Sequence, residues 1–124
     1  MGNLTKHFSV EEFECRCGCT MPANVLENVK ELAEELQVLR HIVESPMTIN
    51  SAYRCPSHNK AVGGARRSQH LLGTASDLVV SGKSPSSLHE LISSLIDDEV
   101  IREGGLGKYN TFTHYDIRGN KARW

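Results

Sequence analysis

The sequence predicts an α+β fold: a small, mainly antiparallel sheet with helices packed on one face. Three observations carry that expectation. Two stretches repeat apolar residues at spacings of three and four, which is the helical period. Several shorter segments alternate or are rich in β-forming residues. The last two of these lie close enough together for an antiparallel hairpin. A chain of 124 residues has the size of one domain, so residues 1–124 are read as a single unit.

Taken in order, Ser9 followed by Glu12 is a capping-box spacing, and a short helix is expected from about Val10. The cysteine-rich segment and Met21-Pro22 form a loop. From Ala23 to about Val43, Val25, Val29, Leu32, Leu36, Leu39 and Val43 form an apolar stripe, with Glu27, Lys30, Glu31 and Glu34 on the outer face. Pro46 blocks continuation of that helix. Met47–Ser51 alternates as a strand. The stretch from Ser51 to Gln69 is long for a plain connector, as functional loops often are, and Ser57 to Val62 within it suits a turn of helix. Ala75 to Val80 is a second strand. Ser84-Pro85 supplies a capping residue and a proline at the first helical position, and Leu88, Leu91, Ile92, Leu95 and Ile96 give the buried face. Gly104-Gly105 turns into a third strand near Leu106–Tyr109, and Thr111 to Ile117 is a fourth.

Composition narrows the function classes. Hydrophobic residues at 39% and charged residues at 23% fit an ordered globular chain rather than a disordered one. Fourteen Lys+Arg against 15 Asp+Glu leave a net charge of −1, which argues against nucleic acid or an anionic membrane surface as partner. No apolar run approaches the roughly 20 residues of a membrane-spanning helix. MGNLTKHFSVEEF has no apolar signal core, so synthesis in a reducing, cytoplasmic compartment is expected. Oligomeric state stays open.

Cys15, Cys17 and Cys19 alternate in FECRCGCT, and Cys55 stands alone in YRCPSH. C-x-C-x-C is not the C-x₂-C spacing of common zinc fingers. Free or loosely packed thiols are the first expectation, with a disulfide and a structural metal as alternatives.

The candidate site rests on His70, Asp77 and His114. In SQHLLGTASD, Gly73 allows the sharp turn that His70 and Asp77 need in order to converge. Strand alternation puts Ala75, Asp77 and Val79 on one face and Ser76, Leu78 and Val80 on the other. A carboxylate among these apolar neighbours needs a partner. In TFTHYDI, Phe112, His114 and Asp116 share a face. Two histidines and one carboxylate with an open fourth position is the pattern of a catalytic zinc, one per chain. On spacing alone, ordinary packed histidines remain the stronger alternative, because H-x₆-D is far less specific than H-E-x-x-H. His7, His41 and His89 read as terminal or helix-surface residues, and His58 is undecided.

SQHLLGTASD also resembles the S-x-H-x-x-G-x-A-x-D signature of the zinc D-Ala-D-Ala carboxypeptidase family of peptidoglycan peptidases, with Ser68, His70, Gly73, Ala75 and Asp77 in place. INSAYRCPSHN resembles the family's "SGYRSPxHN" segment, and GGLGKYNTFTHYDIRGNKARW its "G-x-G-x-Y…F-x-H-x-D-x-R-G…RW" ending. The likeness runs from the helix before Ile49 to Trp124, and is to the short stand-alone branch common in phages and bacterial genomes.

The resemblance implies a fold like that of hedgehog domains and DD-peptidases, with His70, Asp77 and His114 as zinc ligands. It implies Arg54 as the arginine that reaches a substrate carboxylate or the developing oxyanion, a task suited to a planar, permanent cation. Ser68 and Gln69 would flank the metal and orient ligands or substrate. One departure stands out. Many relatives carry an acid three positions before the last histidine ligand, and here that position is Thr111. Asp116 is the nearest acid, either as the general base or as the partner that fixes an imidazole, and the two roles weigh about equally.

The activity so implied is hydrolysis of a bond in peptidoglycan stem peptides, in the setting of a phage lysin released to the cell wall or a virion-associated component. The alternative is a zinc-containing, hedgehog-like binding or structural module without catalysis. A cysteine-based zinc or redox protein built on FECRCGC is the least favoured reading.

Overall fold

The computed structural model describes residues 3–124. A 3₁₀ turn at Val10–Phe13 comes first, and the Ser9 N–H donates to Glu12 Oε2 at 2.7 Å, as the capping-box spacing predicts. Helix α1 spans Ala23–Val43, β1 Met47–Ser51, α2 Pro56–Ala61, β2 Ala75–Val80, α3 Pro85–Asp97, β3 Gly105–Lys108, β4 Thr113–Asp116 and β5 Ala122–Arg123. The sheet order is β1-β2-β4-β3-β5. Each neighbouring pair is antiparallel except β3 with β5. The α+β expectation, with a mainly antiparallel sheet, is borne out.

The core lies on one face of the sheet. Leu78, Val80, Leu106 and Tyr115 pack there with Val29, Leu32, Leu36 and Leu39 of α1 and with Leu88, Ile92 and Ile96 of α3. Two side-chain bonds tie the sheet to what surrounds α3: Thr113 donates its hydroxyl to the Pro85 carbonyl at 2.8 Å, and Tyr115 donates to the Arg102 carbonyl at 2.6 Å. Because side chains alternate along a strand, Asp77, His114 and Asp116 are sent to the opposite face. There they are free of the helical layer.

Four local details differ from expectation. Helix α2 begins at Pro56, one residue early, because Cys55 caps it: its Sγ accepts from the His58 N–H at 3.4 Å. A second 3₁₀ turn, Gln69–Leu72, is capped by the Ser68 hydroxyl and ends on Gly73 at φ +76°. A Cβ on Gly73 would lie 2.7 Å from Val25 Cγ1, so both backbone and packing demand glycine there. Strand β4 starts at Thr113 rather than Thr111, because the Tyr109 N–H bonds the Phe112 carbonyl and closes the hairpin turn. The two-residue β5 is too short to leave a periodic pattern. No helix among the described residues is long and apolar enough to cross a membrane.

Candidate functional site

Asp77 and His114 are direct cross-strand partners on β2 and β4. His70 reaches them from the second 3₁₀ turn. One ligand atom from each of the three lies within 4.8 Å of the others, and all three residues are buried. Asp77 Oδ1 is 3.3 Å from His70 Nε2 and 3.2 Å from His114 Nδ1.

The tautomers follow from the partners. His70 Nδ1 sits 2.6 Å from the Ala52 carbonyl, which can only accept, so Nδ1 carries the proton and Nε2 turns a lone pair toward Asp77. His114 Nε2 donates to Asp116 Oδ2 at 2.7 Å. In the neutral ring Nδ1 then also presents a lone pair to Asp77. Three acceptors facing one another without a hydrogen between them are mutually repulsive, and a cation resolves the conflict. The 3.2–3.3 Å spacings also fit the edge of about 3.3 Å expected around a tetrahedral zinc with bonds of about 2.0–2.1 Å. The donor set therefore suits zinc.

Electrostatics agree with the geometry. In the metal-free chain a proton shared between an imidazole and Asp77 takes the place of a cation: burial pushes the Asp77 carboxyl up, but hydrogen bonds from His114 and His70 then outweigh it and bring it down to about 2. Burial opposes the charged form of His114, yet the Asp116 and Asp77 carboxylates hold its pKa above the ordinary value. Asp116 is 0% exposed, and its oxygens accept from the Gly105 N–H at 2.9 Å and from Arg118 Nε and Nη2 at 2.8 and 2.7 Å. Burial raises its pKa, but hydrogen bonds from His114 and Arg118 hold it well below the usual carboxylate range.

His70, Asp77 and His114 floor a cleft of about 530 Å³. One wall is Arg54 with residues 62–65 and 67–70, which include Ser68 and Gln69, so the long loop borders the cleft. The other wall is aromatic. Tyr109 and Phe112 stack at 4.5 Å, and Trp124 donates its indole N–H to the Tyr109 hydroxyl at 2.8 Å. Arg54 is clamped by three acceptors: Ser51 Oγ and Asn59 Oδ1, each at 3.2 Å, and Asp77 Oδ2 at 3.4 Å. Asn59 is itself pinned through its amide to the Ala65 carbonyl at 2.9 Å. The Ser68 hydroxyl accepts from the His70 N–H, and Gln69 Oε1 accepts from the Thr74 hydroxyl. Thr111 lines a separate small hollow with Lys83, Ser84 and Pro85 and takes no part in the cleft.

The sequence profile of the Peptidase M15 family matches residues 6–116. The chain belongs to the peptidase M15 family. Among curated relatives, the zinc D-Ala-D-Ala carboxypeptidase of Streptomyces albus G is 32% identical over 91 residues, which are 73% of this chain and 34% of that protein. This M15 chain thus spans about a third of the length of the relative it matches.

The structure therefore gathers every site residue expected from the sequence around one cleft, with Asp116 behind His114 rather than on the lining. Sequence reasoning missed the M15 chain's Arg118, Asn59 and the Ala52 carbonyl. Arg118 and Trp124 stood in the quoted ending, RGNKARW, but nothing in their spacing assigned them a partner. A carbonyl acceptor leaves no trace in sequence at all.

Proposed function

We propose that this M15 domain is a zinc-dependent peptidase that hydrolyses a peptide bond in bacterial peptidoglycan stem peptides, of D-Ala-D-Ala carboxypeptidase or endopeptidase type. The observation that carries the reading is the His70–Asp77–His114 cluster on the floor of an open cleft, with the Arg54 guanidinium 3.4 Å from Asp77. The zinc D-Ala-D-Ala carboxypeptidase relative supports the substrate class.

His70 Nε2, Asp77 and His114 Nδ1 would hold a zinc ion, which would supply a Lewis acid for the scissile carbonyl and a nucleophilic water near neutral pH. Around it the chain's own residues bind and orient. Arg54, with its donors aimed by Ser51 and Asn59, binds the substrate carboxylate or the developing oxyanion. The Ala52 carbonyl fixes the His70 tautomer. Asp116 fixes that of His114 and is in turn held by Arg118, so we assign it to orienting the imidazole rather than to taking the proton of water. Its complete burial and its full set of donors support that choice. Ser68 and Gln69 border the peptide path.

The test is digestion of a defined peptidoglycan stem peptide, followed by mass spectrometry of the products. New amino groups that vanish with a chelator and return with zinc are expected. Full activity in His70→Ala would overturn the assignment.

One observation favours a second reading, a zinc-holding module that binds wall fragments without cutting them. Asp77, already in the metal cluster, is the one carboxylate among the residues lining the cleft. Such a module would retain peptidoglycan fragments yet release no amino groups in the same digest.

A further inference from the structure

The four cysteines lie outside the cleft, and nothing in the proposed hydrolysis uses them. The fold nevertheless brings all four together, joining Cys15, Cys17 and Cys19 of the N-terminal loop to Cys55 at the start of α2. Their Sγ atoms lie within 4.8 Å of one another. The closest approaches are 3.2 Å for Cys15–Cys17, 3.5 Å for Cys17–Cys55 and 3.8 Å for Cys15–Cys55. A disulfide needs about 2.05 Å. Four sulfurs around a tetrahedral zinc, with Zn–S bonds of about 2.3 Å, lie roughly 3.8 Å apart. The observed spacings are close to the second value and far from the first.

The surroundings are those of a metal knuckle. The Cys55 N–H points at Cys15 Sγ and the His58 N–H at Cys55 Sγ, both at 3.4 Å. Backbone donors aimed at sulfur favour the thiolate, which is the form that binds metal. Gly18, at φ +85°, turns the chain between Cys17 and Cys19, and a Cβ there would meet nothing within 4 Å. Glycine is therefore present for the backbone angle and not for space. The loop is docked independently of the sulfurs: the Tyr53 N–H bonds the Phe13 carbonyl at 3.0 Å, and Arg16 Nη2 donates to the Ile49 carbonyl at 2.7 Å. The sulfurs are thus presented together by a backbone frame that does not need them.

We propose that Cys15, Cys17, Cys19 and Cys55 form a closed tetrathiolate site for one zinc ion, which fastens the N-terminal loop to the segment carrying Arg54. Four protein ligands leave no open position, so the site is structural. An all-sulfur tetrahedral set selects soft or borderline metals rather than magnesium or calcium. The chain then holds two zinc ions, one more than the count expected from sequence.

The test measures metal stoichiometry in the full chain, expressed with zinc under reducing conditions. Two zinc ions per chain are expected in the wild type. A Cys17→Ser/Cys19→Ser variant is expected to hold one, and His70→Ala still to hold the cysteine-bound ion. This separates the two sites: if the cleft reading fails and this one stands, the wild type holds one zinc that the serine variant loses and His70→Ala keeps.

Because the serine variant can unfold, the wild type is also loaded with cobalt(II) alone. A near-ultraviolet thiolate-to-cobalt band is expected, as is protection of the thiols from a disulfide reagent until a chelator is added. Absence of that band, four freely reacting thiols in the zinc-loaded protein, or disulfides in the intact mass would overturn the proposal. Iron in place of zinc, visible from its own absorption, would overturn the metal assignment.

Discussion

Replacing Asp116 with Asn separates an orienting carboxylate from a catalytic base. The native side chain only accepts: from the Gly105 N–H at 2.9 Å, from Arg118 Nε and Nη2 at 2.8 and 2.7 Å, and from His114 Nε2 at 2.7 Å. Asparagine keeps the shape but turns one oxygen into a donor. With its oxygen left at the Gly105 side, its amide nitrogen faces Arg118 Nη2 and His114 Nε2, both of which are donors. His114 relieves the clash by moving its proton to Nδ1, which is the nitrogen that faces Asp77. The metal-binding lone pair is then lost. Outer partners of this kind change metal affinity by about 10–100-fold, or about 1.4–2.7 kcal/mol. Breaking a buried pair costs about 3–5 kcal/mol. Arg118 is 25% exposed and recovers part of its loss in water, so about 2–3 kcal/mol of stability is expected to go. For a chain of this size that lowers Tm by roughly 8–12 °C. The assay is competitive zinc titration alongside peptide hydrolysis at limiting and saturating zinc. Weakened zinc binding, with activity substantially restored by excess zinc, is expected. Unchanged zinc affinity with an activity loss that zinc does not rescue would refute the reasoning and make Asp116 the base.

Three further outcomes are expected. In the metal-free chain, the Asp77 carboxyl lowered from 3.8 to about 2 contributes about 2 kcal/mol, present above about pH 4 and lost as pH falls through about 2. The raised pKa of His114 contributes below about pH 6.5 and is lost as pH rises through its folded value, so urea midpoints of the metal-free chain are expected to peak between about pH 4 and 6.5. A midpoint that does not move between pH 5 and 2.5, at roughly the scale of that carboxylate's shift, would contradict the acid limb. Arg54→Lys keeps the charge but loses the fork held by Ser51, Asn59 and Asp77, and is expected to lower kcat/KM by about 10²-fold at unchanged zinc content, measured by steady-state kinetics and metal analysis. In Gly64→Ala the new Cβ would crowd Asn59 Oδ1 and lie 2.9 Å from Arg54 Nη1, so KM is expected to rise by roughly tenfold with an unaltered circular dichroism spectrum.

Much of this was readable in the sequence where one local rule decides the outcome. Helix α1 and strands β1 and β2 have the bounds their apolar periodicity predicts, and α3 begins at the Ser84-Pro85 cap. The shared face of His114 and Asp116 followed from alternation alone, whereas Asp77 joins it through the β2–β4 register, which the sequence does not state. What depends on approach between distant segments was not readable. Cys55 joins three cysteines about 40 positions away only because the Phe13–Tyr53 and Arg16–Ile49 bonds dock the N-terminal loop. Arg118 pairs with Asp116 across two positions, a spacing that marks no regular element. Strand β5 exists through three backbone bonds, from the Ala122 N–H to Gly104 and between Trp124 and both Leu106 and Lys108, and carries no side-chain pattern.

One extended stretch, Ser51 to Cys55, links the two clusters and explains why they sit back to back. Tyr53 packs into the core and Cys55 joins the cysteine cluster, while Arg54 between them lines the cleft. The Ala52 carbonyl holds His70, and Arg54 braces Asp77, while the Tyr53 N–H and Cys55 Sγ face the N-terminal loop. Within this stretch, Ala52 and Arg54, which serve the cleft, are each one position from Tyr53, whose N–H anchors the stretch to the N-terminal loop. A metal at the cysteines would remove slack from the Arg54 backbone without touching the substrate. For the oxyanion-binding role proposed for Arg54 that matters, since a displacement of about 1 Å can cost about 10²-fold in rate. On this arrangement the N-terminal loop acts as a brace for the cleft, and a small domain gains from metal ligation the rigidity that a larger core would otherwise supply.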